Sequence, residues 1–233
     1  MSNPSHLPID SDVLIQLLVA GNLQPLQQLK KVYGIQAAIV VEVENELRTN
    51  KKHKKYIQGN FDKAITAGTI QVFDQGALQT FLSKQSHLLN SMASTAWSTM
   101  QATGQSYNLF VGLGEAYTHA AAIFLGVPSA SHDKNALNVL ENKGMTIPSP
   151  VLRTFDLVAL CYQAGLLAEQ ECDGIRKSLL AVGEWLPQEF KNCSFEDGIN
   201  NYSCRLYDCS RPSVGVCPTP KHPYEKRLSI QPI

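Results

Sequence analysis

The stretch HLPIDSDVLIQLLVAGN, residues 6–22, decides the fold class of this chain. Its first part is a short apolar segment that ends in Asp10 and Asp12, which is typical of a strand that runs into a turn. Its second part has apolar residues at helical spacing and stops at Gly21 and Asn22. A strand that passes directly into a helix is the repeating unit of parallel α/β proteins, so this stretch predicts an α/β chain.

The same alternation continues along the chain. IQAAI, residues 35–39, is a candidate strand between a short helix and a second helix in VVEVENELRTN, residues 40–50. TIQVF at 69–73, SASHD at 129–133 and GMTIPSP at 144–150 predict further short strands. Strands that alternate with helices predict an α/β fold of three layers, in which helices flank a central, mostly parallel sheet.

The predicted domain organisation is one packed domain, residues 1–190, and a tail, residues 191–233. The domain holds a longer helical insert at about residues 49–105, which includes a Ser/Thr-rich helix at about 75–101. Asn, Ser, Cys, Gly and Pro dominate the tail, so we predict irregular structure there. The tail cysteines lack the paired Cys-x-x-Cys spacing of most structural zinc sites, which makes a zinc site the minority interpretation. They are Cys193, Cys204, Cys209 and Cys217.

The charge balance limits which ligands the chain attracts. Its 20 basic and 20 acidic residues cancel, so any contact with nucleic acid must be local rather than driven by a broad positive field. The first residues do not show the basic and apolar regions of a secretory signal, and no run of about 18 apolar residues occurs. We therefore expect a cytoplasmic protein that does not contact a membrane.

Four carboxylates stand out by their position relative to the predicted turns: Asp10, Glu46, Glu115 and Asp133. Each one alone has a structural explanation as a helix cap, a solvated helix face or a partner of a helix dipole, and Asp12 is expected to cap a helix that starts at Val13. The carboxyl ends of parallel strands share one edge of a sheet, so the acids are expected to converge there. A divalent cation would offset their repulsion, and oxygen ligands favour Mg²⁺ or Mn²⁺.

The order of four short motifs resembles bacterial PIN-domain proteins. The motifs are D-S-D-V-L at 10–14, V-E-N-E-L at 43–47, V-G-L-G-E-A at 111–116 and S-H-D-K-N-A at 131–136. A helix that begins T-F-D-L follows the last predicted strand, and the resemblance covers roughly residues 7–190. The chain departs from small PIN toxins in the longer stretch between the second and third acids and in the tail.

This resemblance implies a PIN-like fold and an activity. It implies that Asp10, Glu46, Glu115 and Asp133 bind Mg²⁺ or Mn²⁺ and are catalytic, with support from Ser11, Asp12 and Asn135. The activity would be that of an endoribonuclease, in which metal-activated water hydrolyses single-stranded or loop RNA. The resemblance further implies the toxin of a toxin–antitoxin pair, with a small antitoxin protein as partner, and is compatible with a homodimer. Two alternatives stay open: a catalytically silent PIN-fold interaction module, and a DNA-directed nuclease.

The dense basic run RTNKKHKKY, residues 48–56, has two interpretations. It is either a group of RNA phosphate contacts beside the acids or an ordinary solvated loop. Its candidate RNA-binding residues are Lys51, Lys52, Lys54 and Lys55. Trp97, Tyr107 and Tyr117 are candidates for stacking on unpaired bases, although aromatic residues at helical spacing more often belong to a core.

Overall fold

The computed structural model describes residues 6–77, 92–144 and 151–202. The strands are β1 (His6–Pro8), β2 (Gln36–Val40), β3 (Ile70–Phe73), β4 (Ser129–Ala130) and β5 (Val151–Leu152). The helices are α1 (Ser11–Val19), α2 (Gln24–Tyr33), α3 (Val41–Thr49), α4 (Lys54–Thr66), α5 (Met92–Tyr107), α6 (Leu113–Leu125), α7 (Lys134–Asn142), α8 (Thr154–Gln163), α9 (Glu169–Ala181) and α10 (Phe195–Asn201). A short 3-10 helix, Gln188–Phe190, lies between α9 and α10.

All described strand pairs are parallel. β2 lies between β1 and β3, and β4 pairs with β5. A parallel bridge between Ile9 and Ala130 joins the two sets of strands at the end of β1, and the Asp10 amide donates a hydrogen bond of 2.8 Å to the Ala130 carbonyl. The strands therefore lie side by side in the order β3, β2, β1, β4, β5. The chain adds β2 and β3 on one side of β1 and then β4 and β5 on its other side, so the strand order reverses between β1 and β4.

Burial of the central strands explains why helices flank the sheet. Ala37, Ala38, Ile39 and Val40 of β2 are all buried, as expected for a parallel strand covered on both faces. α6 packs against β1 and β2, and α2 packs against β2. The predicted α/β class with a parallel sheet flanked by helices is confirmed.

The packed region extends beyond the predicted boundary at residue 190. α10 lies within the segment that was predicted to be irregular, and it begins because the Ser194 hydroxyl accepts a hydrogen bond of 3.0 Å from the Asp197 amide. Phe195 at its start is fully buried and stacks on Phe190 with 5.4 Å between ring centroids. The prediction of an irregular tail is therefore wrong for 195–201. Cys204, Cys209 and Cys217 lie outside the described residues, while Cys193 is half-buried and donates from Sγ to the Glu189 carbonyl.

Several predicted elements fall partly outside the described residues. β3 confirms the strand predicted at 69–73, and α5 covers the second half of the helix predicted at 75–101. Residues 145–150 of the GMTIPSP strand are not among those described; the strand that pairs with β4 is β5, directly after them. Within the described ranges, no helix is both long and apolar enough to cross a bilayer.

Candidate functional site

The predicted acids lie around the carboxyl ends of β1, β2 and β4. Asp10 follows β1, α3 with Glu46 follows β2, and Asp133 follows β4. Glu115 reaches the same region from the first turn of α6. In open parallel sheets, ligands bind at the carboxyl ends of the strands where the strand order reverses, which here is the crevice between β1 and β4. We call the group formed by Asp10, Asp12, Glu46 and Glu115 the acidic cluster.

Asp10 is the most constrained member of the acidic cluster. It occupies the N-cap position of α1, yet its side chain makes no capping hydrogen bond. Only 6% of the residue is exposed, and its Oδ1 has no hydrogen-bond partner. Burial, then the charges of Asp12, Glu115 and Glu46, raise the pKa of Asp10 well above its ordinary value, against the hydrogen bond from the Ser11 backbone. Asp10 thus provides a buried carboxylate oxygen that faces neighbouring negative charge.

Asp12 lies in the first turn of α1, since the helix begins at Ser11. The expectation that Asp12 caps a helix starting at Val13 is therefore wrong, although its Oδ1 still accepts from the Val13 amide. Its Oδ2 accepts a hydrogen bond of 3.1 Å from the His132 amide, which connects α1 to the end of β4. Burial and the charge of Glu115 raise the pKa of Asp12 to about 7. Ser11, the other predicted supporting residue, is half-buried beside it.

Glu115 is held by a buried hydrogen-bond network. It is 7% exposed, and its Oε1 accepts a hydrogen bond of 2.8 Å from the Ser131 hydroxyl. His119, one helical turn later, places Nε2 3.3 Å from the same Oε1, and its Nδ1 lies 3.3 Å from the Ser129 hydroxyl. The two serines flank Ala130 at the end of β4, so this network fixes the Glu115 carboxylate relative to the sheet.

Glu46 meets the beginning of α6. Its Oε1 accepts a hydrogen bond of 3.0 Å from the Gly114 amide, one of the free amides at the helix N-terminus. A Cβ at position 114 would lie 2.7 Å from both oxygens of the Glu46 carboxylate. Glycine at 114 is therefore what allows this close approach, and it brings Glu46 beside Glu115.

Asp133 has a different environment from the other predicted ligands. It is exposed, and its Oδ1 caps α7 by accepting hydrogen bonds of 2.8 Å from the Asn135 amide and 3.0 Å from the Ala136 amide. The Asp133 amide donates to the Ser131 hydroxyl at 3.1 Å. Its charge contributes to the raised pKa of Asp12, which places it at the rim of the acidic cluster. Asn135 lies exposed at the same rim.

The donors of the acidic cluster fit a hard divalent cation chemically. In the described part of the chain, no Lys or Arg forms an ion pair with Asp10, Asp12, Glu46 or Glu115, so their charges are not balanced by an arginine or lysine. Oxygen ligands and an unpartnered buried carboxylate oxygen suit Mg²⁺ or Mn²⁺. Geometrically, however, no three His, Cys, Asp or Glu side chains of the described residues meet closely enough to hold one ion.

A cavity of about 620 Å³ borders the acidic cluster. Its lining residues are Asp12, Ile15, Gln16, Asn50, Lys52, His53, His132, Asp133, Asn135, Arg153, Glu184 and Trp185. Lys52, predicted to bind RNA, lies in this wall and forms an ion pair of 2.8 Å with Glu184. Lys51, Lys54 and Lys55 are exposed, as both interpretations of the basic run require.

The three aromatic residues considered for stacking belong to the core. Tyr107 and Tyr117 are 7% and 5% exposed, and Trp97 is half-buried against the main core. Their side chains therefore present little surface for a base. Trp185 is exposed and lines the cavity beside the acids, and it was not among the residues predicted from the sequence.

The sequence analysis also missed the residues that position the acids. Gly114, Ser131 and His119 each contact a carboxylate of the cluster. A signal was present for two of them, since Gly114 directly precedes Glu115 and His119 follows it by four residues.

In comparisons with known proteins, no family model, no curated protein and no solved structure matches this chain.

Proposed function

We propose that this chain is a metal-dependent nuclease that hydrolyses RNA phosphodiester bonds at the acidic cluster. The observation that carries the proposal is the buried Asp10 carboxylate, whose Oδ1 has no hydrogen-bond partner and which faces three further carboxylates. In its ionised form such a group is unfavourable unless a cation binds there. Mg²⁺ or Mn²⁺ is the cation that carboxylate oxygens favour.

The proposed roles follow from the contacts of each residue. Since no three of these carboxylates meet at one point in the structure, the side chains of Asp10, Asp12 and Glu115 would have to move together to hold the cation, with Glu46 from α3 and Asp133 from the rim beside them. When bound, the cation would lower the pKa of a water molecule for attack on the phosphodiester and would stabilise the leaving oxygen. Ser131 and His119 orient the Glu115 carboxylate, and the Gly114 amide orients that of Glu46.

Two observations support the proposal that the fold is PIN-like. One is the motif order that resembles bacterial PIN-domain proteins. The other is the parallel sheet whose strand order reverses between β1 and β4, with the acids of those motifs around that crevice. RNA as substrate, the toxin role and an antitoxin partner follow from the resemblance alone, and a DNA-directed nuclease is separated from them by substrate tests.

A second candidate function is a PIN-fold interaction module without catalysis. Two observations favour it: no three of the described acidic or metal-binding side chains meet at one point, and apolar side chains are exposed just before Glu115. Leu109 is 77% exposed and Leu113 is 46% exposed. This candidate predicts metal-independent binding of a partner and no cleavage.

Cleavage of mixed single-stranded RNA and DNA pools with Mg²⁺, Mn²⁺ or EDTA tests the proposal. The wild type is compared with Asp10→Asn and Glu115→Gln, and with Asp62→Asn as a control at an exposed carboxylate on α4. We expect metal-dependent cutting of RNA that falls on the order of 100-fold in the two cluster variants and persists in the control. Equal traces for all four folded proteins would replace the nuclease by the interaction module.

A further inference from the structure

The cavity beside the acidic cluster has the size of a small-ligand site. At about 620 Å³ it falls within the range of pockets that enclose a molecule as large as a nucleotide. Asp12 and Asp133 form part of its wall, so a molecule in the cavity would lie next to the acids. The cavity is lined by apolar, aromatic and charged groups together, which is the composition of a ligand pocket.

Arg153 is the positive charge on this wall that lacks a partner. The residue is 8% exposed, and no described carboxylate lies within ion-pair distance of its guanidinium. Arg176 has the same exposure, yet its guanidinium is held by Asp173 at 2.6 Å and by the Phe190 carbonyl at 3.1 Å. A guanidinium that borders a cavity without a carboxylate partner is suited to bind an anion, so Arg153 indicates an anion site in the cavity.

The other basic side chains of the wall already contact Glu184. Lys52 Nζ lies 2.8 Å and His53 Nε2 lies 2.7 Å from the same Oε1 of Glu184. Glu184 is therefore matched by Lys52 and His53 and does not compensate Arg153. A planar guanidinium offers paired N–H donors that suit the oxygens of a phosphate group.

Trp185 provides an aromatic surface at the same cavity. Its backbone carbonyl accepts a hydrogen bond of 2.8 Å from Gln16 Nε2, and its ring contacts the ring of His132 edge to face at 5.9 Å between centroids. Even so, Trp185 is 48% exposed. A half-exposed indole is a platform on which an unpaired base can stack.

We propose that this cavity is a nucleotide subsite, in which Arg153 binds a phosphate group and Trp185 stacks on the base. The nucleotide would be the one next to the bond cut at the acidic cluster, so this assignment rests on the proposed nuclease function for the identity of the ligand. Binding itself requires neither metal nor cleavage, and it is therefore measurable separately.

Tryptophan fluorescence tests the subsite in EDTA. The chain has 2 tryptophans, so Trp97→Phe leaves Trp185 as the sole reporter. In this background, adenosine 5′-monophosphate is titrated, with adenosine as the base-only ligand and inorganic phosphate as the phosphate-only ligand. We expect saturable quenching by the nucleotide, weaker quenching by adenosine, and a Kd for the nucleotide at least about 10-fold higher after Arg153→Gln.

Two further measurements separate binding from stability. Arg153→Gln is expected to leave the melting temperature of the ligand-free protein nearly unchanged, because Arg153 forms no ion pair with a described carboxylate. Arg176→Gln is the matched control, and it should lower the melting temperature while leaving the nucleotide Kd unchanged. Nucleotide binding that is equal in the parent and Arg153→Gln, or that is absent from the parent, overturns the subsite. Saturable binding without any RNA cleavage would keep the subsite and refute the nuclease proposal.

Discussion

The Gly114 amide donates a hydrogen bond of 3.0 Å to Glu46 Oε1, which joins the start of α6 to the middle of α3. The two residues are distant in the sequence, and their contact brings Glu46 next to Glu115 without a side chain between the two helices. The free amides at a helix N-terminus bind carboxylates well, so this contact fixes the position of the Glu46 side chain. It also makes the acidic cluster depend on the absence of a Cβ at position 114.

Gly114→Ala should therefore impair function more than folding. The new Cβ would lie 2.7 Å from both Glu46 oxygens, and the half-buried side chain of Glu46 would have to move away. Alanine is better than glycine in a helix by about 1 kcal/mol, which offsets part of the cost of this movement. We expect a melting temperature within a few degrees of the wild type and a loss of metal-dependent cleavage of about 10-fold to 100-fold.

Gly59→Ala is the control for this substitution. Gly59 also lies in a helix, α4, and a Cβ there has no atom within 4 Å. This variant should be as stable as the wild type or more so and should cleave normally. Equal cleavage by both alanine variants would show that the contact between Gly114 and Glu46 does not contribute to the site.

Without a divalent cation, the contribution of Asp10 and Asp12 to stability should fall as the pH rises from about 4 to about 7. The contribution of His132, whose pKa is lowered to about 3 by burial and by the charge of Arg153, should rise over part of the same range. The pKa of Asp12 is raised from 3.8 to about 7, and that of Asp10 is raised well above 3.8. Between its ordinary pKa and its raised pKa, each of these two carboxyls keeps a proton in the folded state that it has released in the unfolded state. For these two groups, raising the pH therefore favours unfolding. This sign is opposite to that of a carboxylate in a salt bridge.

Thermal unfolding in EDTA at several pH values measures this effect. Mn²⁺ or Mg²⁺ should restore the stability near pH 7, because cation binding favours the ionised carboxylates. In Asp10→Asn, the decrease with pH should be smaller and the stabilisation by Mn²⁺ weaker. An identical pH dependence of the melting temperature in the wild type and in Asp10→Asn would contradict the raised pKa of Asp10.

Local sequence patterns were sufficient to predict the class of fold. The hydrophobic periodicity and the turn residues predicted β1, β2 and β3, because each of these strands is a short apolar run that precedes or follows a helix. The rule that parallel strands share one carboxyl edge then predicted that the acids would converge, and in the structure the charge of Glu115 contributes to the raised pKa of Asp10. The metal, the activity and the PIN-like identity remain predictions.

The remaining features depend on contacts that no local pattern contains. Arg153 and Trp185 are 32 residues apart, and only the folding of β5 and the segment after α9 brings both to one cavity. Ser131 contacts Glu115 across the boundary of strand and helix. The composition of residues 195–201 suggested a loop, whereas the burial of Phe195 against Phe190 favours a helix. Tertiary packing overrides weak local propensity in such cases.

Ser131→Ala should reduce activity by changing the orientation of Glu115. The substitution removes the donor of the 2.8 Å hydrogen bond to Glu115 Oε1 and leaves that buried oxygen with His119 at 3.3 Å. We expect a cost of about 1 kcal/mol in the free energy of unfolding and a loss of cleavage of about 10-fold to 100-fold. Urea denaturation and initial cleavage rates measure the two effects.

Ser194→Ala is the matched control for the loss of a serine hydroxyl. Ser194 caps α10 through the Asp197 amide and does not line the cavity beside the acids. It should cost about 1 kcal/mol of stability as well, without a change in cleavage beyond that explained by the folded fraction. If both serine variants lose activity in proportion to stability alone, Ser131 has no positioning role.

The exposed lysines of the basic run should contribute to RNA affinity through charge alone. Lys51 and Lys54 are exposed and form no ion pair with a described carboxylate, unlike Lys52, which is paired with Glu184. Replacing both by alanine should weaken RNA binding most at low salt, because each lost phosphate contact lowers the slope of log Kd against log salt by about 0.7. The expected change in slope for the double variant is therefore about 1.4.

RNA binding is measured in EDTA at salt concentrations from about 50 mM to about 200 mM, the range over which phosphate contacts change the affinity strongly. Lys31→Ala with Lys191→Ala, at two exposed lysines elsewhere, is the control, and an equal slope for both double variants would identify the basic run as an ordinary solvated loop.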